Sequence, residues 1–275
     1  MILPPLIETI RRHGLEPKKS LGQNFLLDAR ILARIAAATG PLDGINVVEI
    51  GPGPGGLTRA LLEGGAARVV AVERDERAIA ALEELASAYP GRLALIPGDA
   101  LTLDPATLVP APRRILANLP YNVATPLLIG WLRQVGAYQS LALMFQKEVA
   151  QRIAAAPGTE HYGRLSILTQ WLTLPSLVFD LPPGAFLPPP RVVSSLVLLV
   201  PRPEPLAPCR FEDLERVTAA AFGQRRKMLR TSLKSLGTDP LALCAAAGID
   251  PTRRAETLSV PEFCALARLI APGRA

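Results

Sequence analysis

Short apolar segments alternate with amphipathic helical patterns over the first half of the chain, and this alternation constrains the fold most strongly. The apolar segments are nearly continuous runs of Val, Ile, Leu and Ala, which is typical of parallel strands covered by helices on both faces. We predict strands at residues 47–50, 68–72, 93–96, 114–117 and 141–145. We predict helices at residues 28–39, with Asp28 as N-cap, and at 56–62, 75–88, 125–133 and 147–155.

The alternation ends near residue 155. A helix is predicted over 164–172, followed by strands at 176–179 and 192–200 with no helix between them, which favours an antiparallel edge. A proline-rich linker over 201–208 precedes purely helical patterns at 211–222, 226–236, 241–247 and 261–270. We therefore expect an α/β fold: a Rossmann-like, doubly wound, mostly parallel sheet with an antiparallel edge strand in residues 1–200, plus a small all-α domain over 209–275.

Composition excludes several broad classes of protein. Of the 275 residues, 49% are hydrophobic and 20% charged, so the chain is not intrinsically disordered. Its apolar runs fall short of the ~20 residues that a membrane helix needs, and the N-terminus does not resemble a signal peptide. We expect a cytoplasmic protein with no membrane contact. Cys209, Cys244 and Cys264 lack the spacing of metal ligands, so we expect buried apolar thiols and no metal, with a metal site or a disulfide as the alternative.

Positive charge is concentrated towards the C-terminus. Residues 201–275 hold 12 Lys and Arg against 8 Asp and Glu, a difference of 4 out of the net +6 of the whole chain. A solvated helix surface would explain this excess, and so would an anionic partner such as nucleic acid.

A glycine-rich turn follows the first strand of the alternating region. Gly51, Gly53 and Gly56 have G-x-G-x-x-G spacing, and Glu73 ends the next predicted strand. Such glycines let the backbone approach a ligand closely, and a carboxylate at that position can accept both ribose hydroxyls. The pattern does not separate NAD, FAD and S-adenosylmethionine, and an ordinary tight turn remains an alternative.

Two further features favour an adenosine site without a phosphate cradle. Pro52 and Pro54 remove two backbone donors that a pyrophosphate would use. Asp99 closes the third strand, where its side chain can accept from an adenine amine, although a turn or helix cap would also explain it.

The segment Asn118-Leu119-Pro120-Tyr121 follows the fourth predicted strand and resembles the N-L/I-P-Y motif of amino-methyltransferases. Methylating an adenine amine is difficult because its lone pair is delocalised into the ring. The Asn118 side-chain oxygen and the Leu119 carbonyl can accept both amine hydrogens, while Pro120 fixes the backbone. Tyr121 offers a ring on which the base can stack. A strand-ending turn with no catalytic role is the alternative.

Seven segments occur in order over about residues 18 to 235: GQNFL, EIGPGPGGLT, GDA, NLPYN, FQKEVAQR, YGRLSILTQ and F-x-P-x-P-x-V-x-S. In this combination the chain resembles the bacterial 16S rRNA adenine dimethyltransferases. This resemblance implies a class I methyltransferase fold and transfer of methyl groups from S-adenosylmethionine. The implied targets are two adjacent adenosines in the hairpin loop near the 3′ end of 16S rRNA, within a late 30S assembly intermediate.

The resemblance also implies roles for individual residues. The cofactor would be bound by Asn24, Leu26, Gly51, Glu73, Asp99 and Asn118. Phe186 would stack on the target base opposite Tyr121, although a core residue of an edge strand is the alternative for this position. A basic helix with Arg225, Arg226, Lys227 and Arg230 would bind RNA, although Thr231 replaces an Asn that is frequent in the family. Whether Glu49 contacts the cofactor stays open.

Three other functions remain under consideration. A related 23S rRNA adenine methyltransferase of the macrolide-resistance type shares the catalytic motifs, but the GQNFL, YGRLS and RRK segments argue against it. An NAD-dependent oxidoreductase fits the glycines and leaves NLPY unexplained. A non-catalytic RNA-binding assembly factor would not need the intact motifs. We expect a monomer.

Overall fold

The computed structural model describes residues 3–18 and 21–270. They divide into two compact units, Met1–Ala150 with Ser176–Pro201, and Gln151–Pro175 with Arg202–Ala275. The predicted bounds of 1–200 and 209–275 therefore differ from the compact units, because residues 151–175 belong with the C-terminal helices. That residues 1–200 carry catalysis and 209–275 bind RNA stays a prediction.

The first unit is built on a seven-stranded sheet with strand order β4-β3-β2-β5-β6-β9-β7. Strands β2 to β6 are parallel, and β9 is antiparallel to β6, as predicted for the doubly wound sheet. A separate two-stranded sheet pairs β1 with β8. The strands are β1 Phe25–Leu26, β2 Asn46–Ile50, β3 Arg68–Glu73, β4 Leu93–Pro97, β5 Arg113–Ala117, β6 Ser140–Gln146, β7 Thr173–Leu181, β8 Phe186–Leu187 and β9 Ser194–Pro201.

Burial explains why these segments form central strands. Val47, Val48 and Val69 are fully buried, because both faces of the sheet are covered. The helices up to residue 154 are α1 Leu6–Arg12, α2 Ala29–Ala37, α3 Gly56–Glu63, α4 Glu76–Ala88, α5 Pro105–Leu108, α6 Tyr121–Leu132 and α7 Lys147–Ala154.

The carboxyl ends of the parallel strands position the site. Because β2, β3, β4 and β5 run in the same direction, the residues that follow them meet at one edge of the sheet. Helix α2 lies against α3 and begins at the predicted N-cap, where the Asp28 carboxylate accepts from the backbone N–H groups of Arg30 and Ile31.

The second unit is helical. Its helices are α8 Arg164–Leu172, α9 Phe211–Gly223, α10 Leu229–Ser232, α11 Pro240–Ala246 and α12 Val260–Leu269. Helix α8 packs on α9, with the rings of Trp171 and Phe211 6.0 Å apart, and the indole N–H of Trp171 donates to the Ala207 carbonyl at 2.7 Å. These contacts are the physical reason why residues 151–175 belong to this unit.

The predicted helix over 226–236 is confirmed only from Leu229: α10 covers Leu229–Ser232, and a 3₁₀ helix continues over Leu233–Leu236. Residues 224–227 form a turn, closed by a bond from the Lys227 N–H to the Gln224 carbonyl, and α10 begins only at Leu229. The backbone N–H groups of Leu229 and Arg230 donate to the carbonyls of Arg253 and Pro251. Tertiary hydrogen bonds therefore take the donors that a continuous helix would have used.

Across residues 3–18 and 21–270, none of the helices combines the length and the apolar character that crossing a bilayer requires.

Candidate active site

An open cavity lies at the carboxyl edge of the parallel strands. It brings together every predicted cofactor-binding residue and most of the predicted catalytic residues. The predicted residues that line it are Asn24, Leu26, Gly51, Glu73, Asp99, Asn118, Leu119, Pro120 and Tyr121.

The glycine-rich turn forms the floor of this cavity. Gly51 and Gly53 have φ angles of +67° and +52°, which favour glycine. A Cβ at Gly53 would lie 2.9 Å from Cε1 of Phe25, so the ring of Phe25 packs directly on the turn. The glycine-rich turn therefore packs directly against the segment that contains Phe25.

Glu73 is fixed by backbone donors. Its Oε2 accepts from the Gly53 N–H at 3.0 Å, and its Oε1 accepts from the N–H groups of Arg74 and Asp75, both at 2.9 Å. Burial raises the pKa of Glu73, and these hydrogen bonds partly counteract that effect because they favour the carboxylate. The strand end is thus held in one orientation towards the cavity.

Glu49 is a second carboxyl group on the cavity wall, and sequence reasoning left its role open. It is almost fully buried, and its Oε2 has no hydrogen-bond partner among the described residues. Burial raises the pKa of Glu49 to about 8, and the nearby charge of Glu73 adds to this rise. An unpaired buried acceptor facing a cavity is suited to a cationic or hydrogen-bond-donating ligand.

Asp99 also lines the cavity and is more exposed than Glu49 and Glu73. Its Oδ1 accepts from the Leu101 N–H at 3.0 Å, so the residue forms a turn, as the alternative to a ligand contact predicts. Its Oδ2 is 3.9 Å from Nη1 of Arg74, and 46% of the side chain is exposed. The carboxylate therefore keeps room to accept from a ligand.

The side-chain amide of Asn118 is oriented by the backbone at Asn24. Its Nδ2 donates to the Asn24 carbonyl at 3.1 Å, which leaves the side-chain oxygen available as an acceptor. Leu119 lies between β5 and α6, so the hydrogen-bond ladder of neither element uses its carbonyl. Pro120 is the N-cap of α6 with φ −55°.

Tyr121 is the first residue of α6, and its ring is half-buried at the cavity wall. Its hydroxyl oxygen lies 2.6 Å from the hydroxyl oxygen of Ser194, a fully buried residue at the start of β9. Burial raises the pKa of Tyr121, so the phenol stays neutral. Sequence reasoning missed Ser194, although it is the last residue of the F-x-P-x-P-x-V-x-S pattern.

Phe186 is buried and does not line the cavity. It lies in β8 opposite Leu26 of β1, is only 5% exposed, and belongs to the hydrophobic core. The pairing of β1 with β8 places the ring in the core, so Phe186 occupies the edge-strand core position that is the alternative interpretation, and its stacking opposite Tyr121 stays a prediction.

The predicted RNA-binding residues are exposed but do not form a helical stripe. Arg225, Arg226 and Lys227 lie in the turn before α10, and only Arg230 is helical. The Arg225 guanidinium donates to the carbonyl of Glu160. The four cations therefore project from a turn and a short helix.

Comparisons with known proteins give consistent similarities. The family model described as "Ribosomal RNA adenine dimethylase" matches residues 14–272. The chain is 63% identical over 268 residues to the ribosomal RNA small subunit methyltransferase A of Rhodospirillum rubrum, covering 98% of this chain and 93% of the relative. Among solved structures, it is similar to a dimethyladenosine transferase from Plasmodium falciparum, with TM-score 0.74 and 25% identity over 88% of this chain and 95% of that one. It is also similar to the 23S rRNA methyltransferase ErmE, with TM-score 0.66 and 27% identity over 90% of this chain and 99% of that one.

Proposed function

The chain belongs to the ribosomal RNA adenine dimethylase family, and from this we infer that it is an enzyme that dimethylates adenosine in small-subunit rRNA. The methyl donor is S-adenosylmethionine. The targets are the exocyclic amines of two adjacent adenosines in the hairpin loop near the 3′ end of 16S rRNA. The enzyme acts as a monomer in the cytoplasm, on a late 30S assembly intermediate.

The observation that carries this proposal is the orientation of Asn118. Because the Asn24 carbonyl holds its N–H group, the Asn118 oxygen faces the cavity as an acceptor. The Asn118 oxygen and the Leu119 carbonyl accept hydrogen bonds from the two N–H groups of the target amine. The nitrogen lone pair is then directed away from the plane of the base. Preset acceptors of this kind need no reorganisation during the reaction.

Tyr121 supports the target base. Tyr121 lines the same cavity as Asn118, and the hydrogen bond with Ser194 fixes its ring in place. Stacking on an aromatic ring contributes ~1–3 kcal/mol per base. The ring also stabilises positive charge close to the amine.

The donor set of the cavity fits S-adenosylmethionine. Bound there, this group supplies an electrophilic methyl on a sulfonium. Glu73 would accept hydrogen bonds from the ribose hydroxyls, and Asp99 would accept one from the adenine amine. The unpartnered Oε2 of Glu49 suits the α-ammonium, the ligand's other cationic group.

No strong base is needed in this arrangement. Total charge is conserved when a methyl group moves from a sulfonium to an amine, so positioning and fixed dipoles carry most of the rate. The amine proton becomes acidic once the nitrogen is alkylated and can pass to solvent from the open cavity.

We propose that the cations Arg225, Arg226, Lys227 and Arg230 bind the rRNA backbone. All four are exposed, and Arg is well suited to phosphate because its fork donates two parallel hydrogen bonds. A loop adenosine is already partly unstacked, so its presentation to Tyr121 costs less than flipping a base from a duplex.

The 23S alternative is not favoured. Identity to the small-subunit methyltransferase of R. rubrum is 63%, whereas identity to the 23S rRNA methyltransferase ErmE is 27%. Solved structures of both kinds of enzyme share this fold, so the fold alone does not separate the two activities.

The test is methyl transfer to 30S subunits and, separately, to 50S subunits from cells that lack this modification, read by mass spectrometry of the 16S and 23S rRNA digests. We expect dimethyladenosine in 16S rRNA only, and Asn118→Ala should lower turnover by ~10²–10³ with RNA binding retained. Asn46→Ala is the matched control. The Asn46 side chain also donates to a backbone carbonyl, that of Pro110, but Asn46 is the first residue of β2 and does not line the cavity. Product in 23S rRNA, or equal losses in both variants, would contradict the proposal.

A further inference from the structure

Asp75 is a buried carboxylate close to the donor cavity that does not line it. It is the N-cap of α4, two residues after Glu73, and its side chain is only 4% exposed. Its oxygens accept three bonds from Arg77: from the backbone N–H at 3.2 Å, from Nε at 3.1 Å and from Nη2 at 2.7 Å. They accept a fourth bond from Nε2 of Gln23 at 2.9 Å.

Arg77 extends this network to the N-terminal part of the chain. Its Nη1 donates to the carbonyls of Gly14 at 2.7 Å and Glu16 at 3.2 Å. Through Arg77 and Gln23, the carboxylate of Asp75 is thus tied to the N-terminal segment at two places. A planar guanidinium fork suits this task because one side chain can hold a carboxylate and carbonyls at once.

The segment 21–26 that Gln23 belongs to is a wall of the cavity. Its residues line the cavity, the ring of Phe25 packs on Gly53, and the Asn24 carbonyl holds the Asn118 amide. The wall therefore touches both the glycine turn and the catalytic amide. Its position decides the shape of the donor site before any ligand arrives.

Burying a carboxylate is costly unless hydrogen bonds and an opposite charge compensate for it, so a network of this kind is unusual in a surface turn. The α4 N-terminus alone needs only a cap, which Asn or Ser would provide. The additional bonds to Gln23 and Arg77 are not explained by capping.

We propose that Asp75 is a positioning residue that holds segment 21–26 as a preformed wall of the methyl-donor site. It acts directly through Gln23, while Arg77 fixes Asp75 and anchors the preceding chain at Gly14 and Glu16. This inference rests on the proposed function in one respect, that the donor occupies this cavity. A preformed wall spares the ligand the entropic cost of ordering it, so the affinity of the free enzyme for the donor depends on Asp75.

The test compares Asp75→Asn with the wild-type chain, using S-adenosylhomocysteine as the probe. We expect its Kd to rise by about tenfold or more, and the KM for the donor to rise by a larger factor than kcat falls. In the ligand-free protein, amide hydrogen exchange should accelerate in residues 21–26 more than in β2 or β3.

Asp104→Asn is the matched control. Asp104 is also a helix N-cap, and it accepts from a Gln side chain, Nε2 of Gln134 at 2.6 Å, and from the Ala106 N–H at 2.9 Å. It does not line the donor cavity. Its loss should leave the Kd and the exchange of residues 21–26 unchanged.

Gln23→Ala provides a second route, because it removes one partner and leaves the Asp75–Arg77 pair intact. The effects of the two substitutions on Kd should be less than additive in the double variant. Unchanged Kd and unchanged exchange in both single variants would overturn the inference. Wild-type protein that fails to bind the probe would instead overturn the proposed function, and the ligand-free exchange would still decide the role of Asp75.

Discussion

At the scale of single residues, the cavity is organised by groups whose partners come from distant parts of the chain. Asn118 is oriented by Asn24, and Tyr121 by Ser194. The NLPY motif identifies the reacting groups from sequence, but not the residues that hold them. Those partners become visible only when the strand ends and the N-terminal segment are placed together.

Glu49 gives a prediction on pH. Its pKa of about 8 means that the free enzyme holds this carboxyl largely protonated at neutral pH. A cationic ligand favours the ionised form, so affinity for S-adenosylhomocysteine should rise from pH 6 to about 8 and then level off. Calorimetry in buffers of different ionisation enthalpy should detect proton release on binding. Glu49→Gln should bind more weakly, without this pH dependence; a retained dependence would contradict the assignment.

The same group affects stability in the opposite direction. The pKa of Glu49 is raised in the folded state above its ordinary value of 4.5, so the folded state binds more protons between these limits. Its contribution to the free energy of unfolding therefore falls as pH rises from about 4.5 to about 8. Denaturation of Glu49→Gln at several pH values should show a smaller loss over that window than the wild-type chain does.

Gly53→Ala tests the contact between the glycine turn and Phe25. The substitution combines a φ of +52° with a Cβ 2.9 Å from the Phe25 ring, so it should destabilise the fold by about 1–3 kcal/mol and weaken donor binding. Gly91→Ala has a similar φ of +76° with no atom within 4 Å of the new Cβ. It should destabilise the fold less and leave the Kd unchanged. Equal effects on the Kd would show that the Phe25 contact has no role.

At the scale of elements, the regular parts of the fold follow from local sequence. Asp28 is the predicted N-cap of α2. The observed bounds of β2 and β3 each differ from the predicted bounds by one residue at one end. Strands β1 and β8 could not be predicted, because each has only two residues, which is too short to show the alternating pattern of a strand. The buried position of Phe186 depends on that pairing, so the sequence alone leaves it as an alternative.

The turn before α10 shows the same limit for helices. Residues 226–236 have helical periodicity, but the N–H of Leu229 is taken by the Arg253 carbonyl. Local propensity favours a continuous helix here, and the tertiary bonds override it. The exposure of the cations survives this change in backbone, whereas their alignment on one helix face does not.

The basic turn yields a prediction on salt dependence. Replacing Arg225, Arg226 and Lys227 with Gln should weaken RNA binding, and each lost phosphate contact should reduce the slope of log K against log salt by ~0.7–0.9. Replacing Arg11, Arg12 and Arg68 with Gln removes the same charge elsewhere. Filter binding from low to high salt measures both slopes. The same reduction in both triple variants would mean that net charge alone matters.

At the scale of the whole molecule, the chain passes between its compact units more than once. It leaves the first unit after Ala150, returns at Ser176 and leaves again after Pro201. A linear division at residue 200 follows naturally from the composition of the linker, but it separates α8 from α9. Contacts between residues far apart in sequence assign α8 to the second unit, and a local sequence pattern does not predict such contacts.

A chain truncated after Pro201 tests the division. Trp171 would lose the Phe211 ring at 6.0 Å and the Ala207 carbonyl at 2.7 Å, and the buried face of α8 would be exposed to water. We expect this chain to aggregate. Polar replacements at Ile167, Leu168 and Trp171 should restore its solubility. A truncated chain that is soluble without them, and binds S-adenosylhomocysteine as the full chain does, would contradict the two-segment unit.

The order of strands at the outer side of the sheet has a consequence for synthesis on the ribosome. β9 lies between β6 and β7, yet it is translated after β7. When β7 emerges, its native neighbour β9 has not yet been made, so β7 lacks its own hydrogen-bond partner, and it carries the apolar side chains of Leu174, Leu177 and Val178. At ordinary elongation rates this unpaired interval lasts on the order of a second. A nascent chain is most exposed to misassociation during that interval, and binding by a chaperone would protect it then.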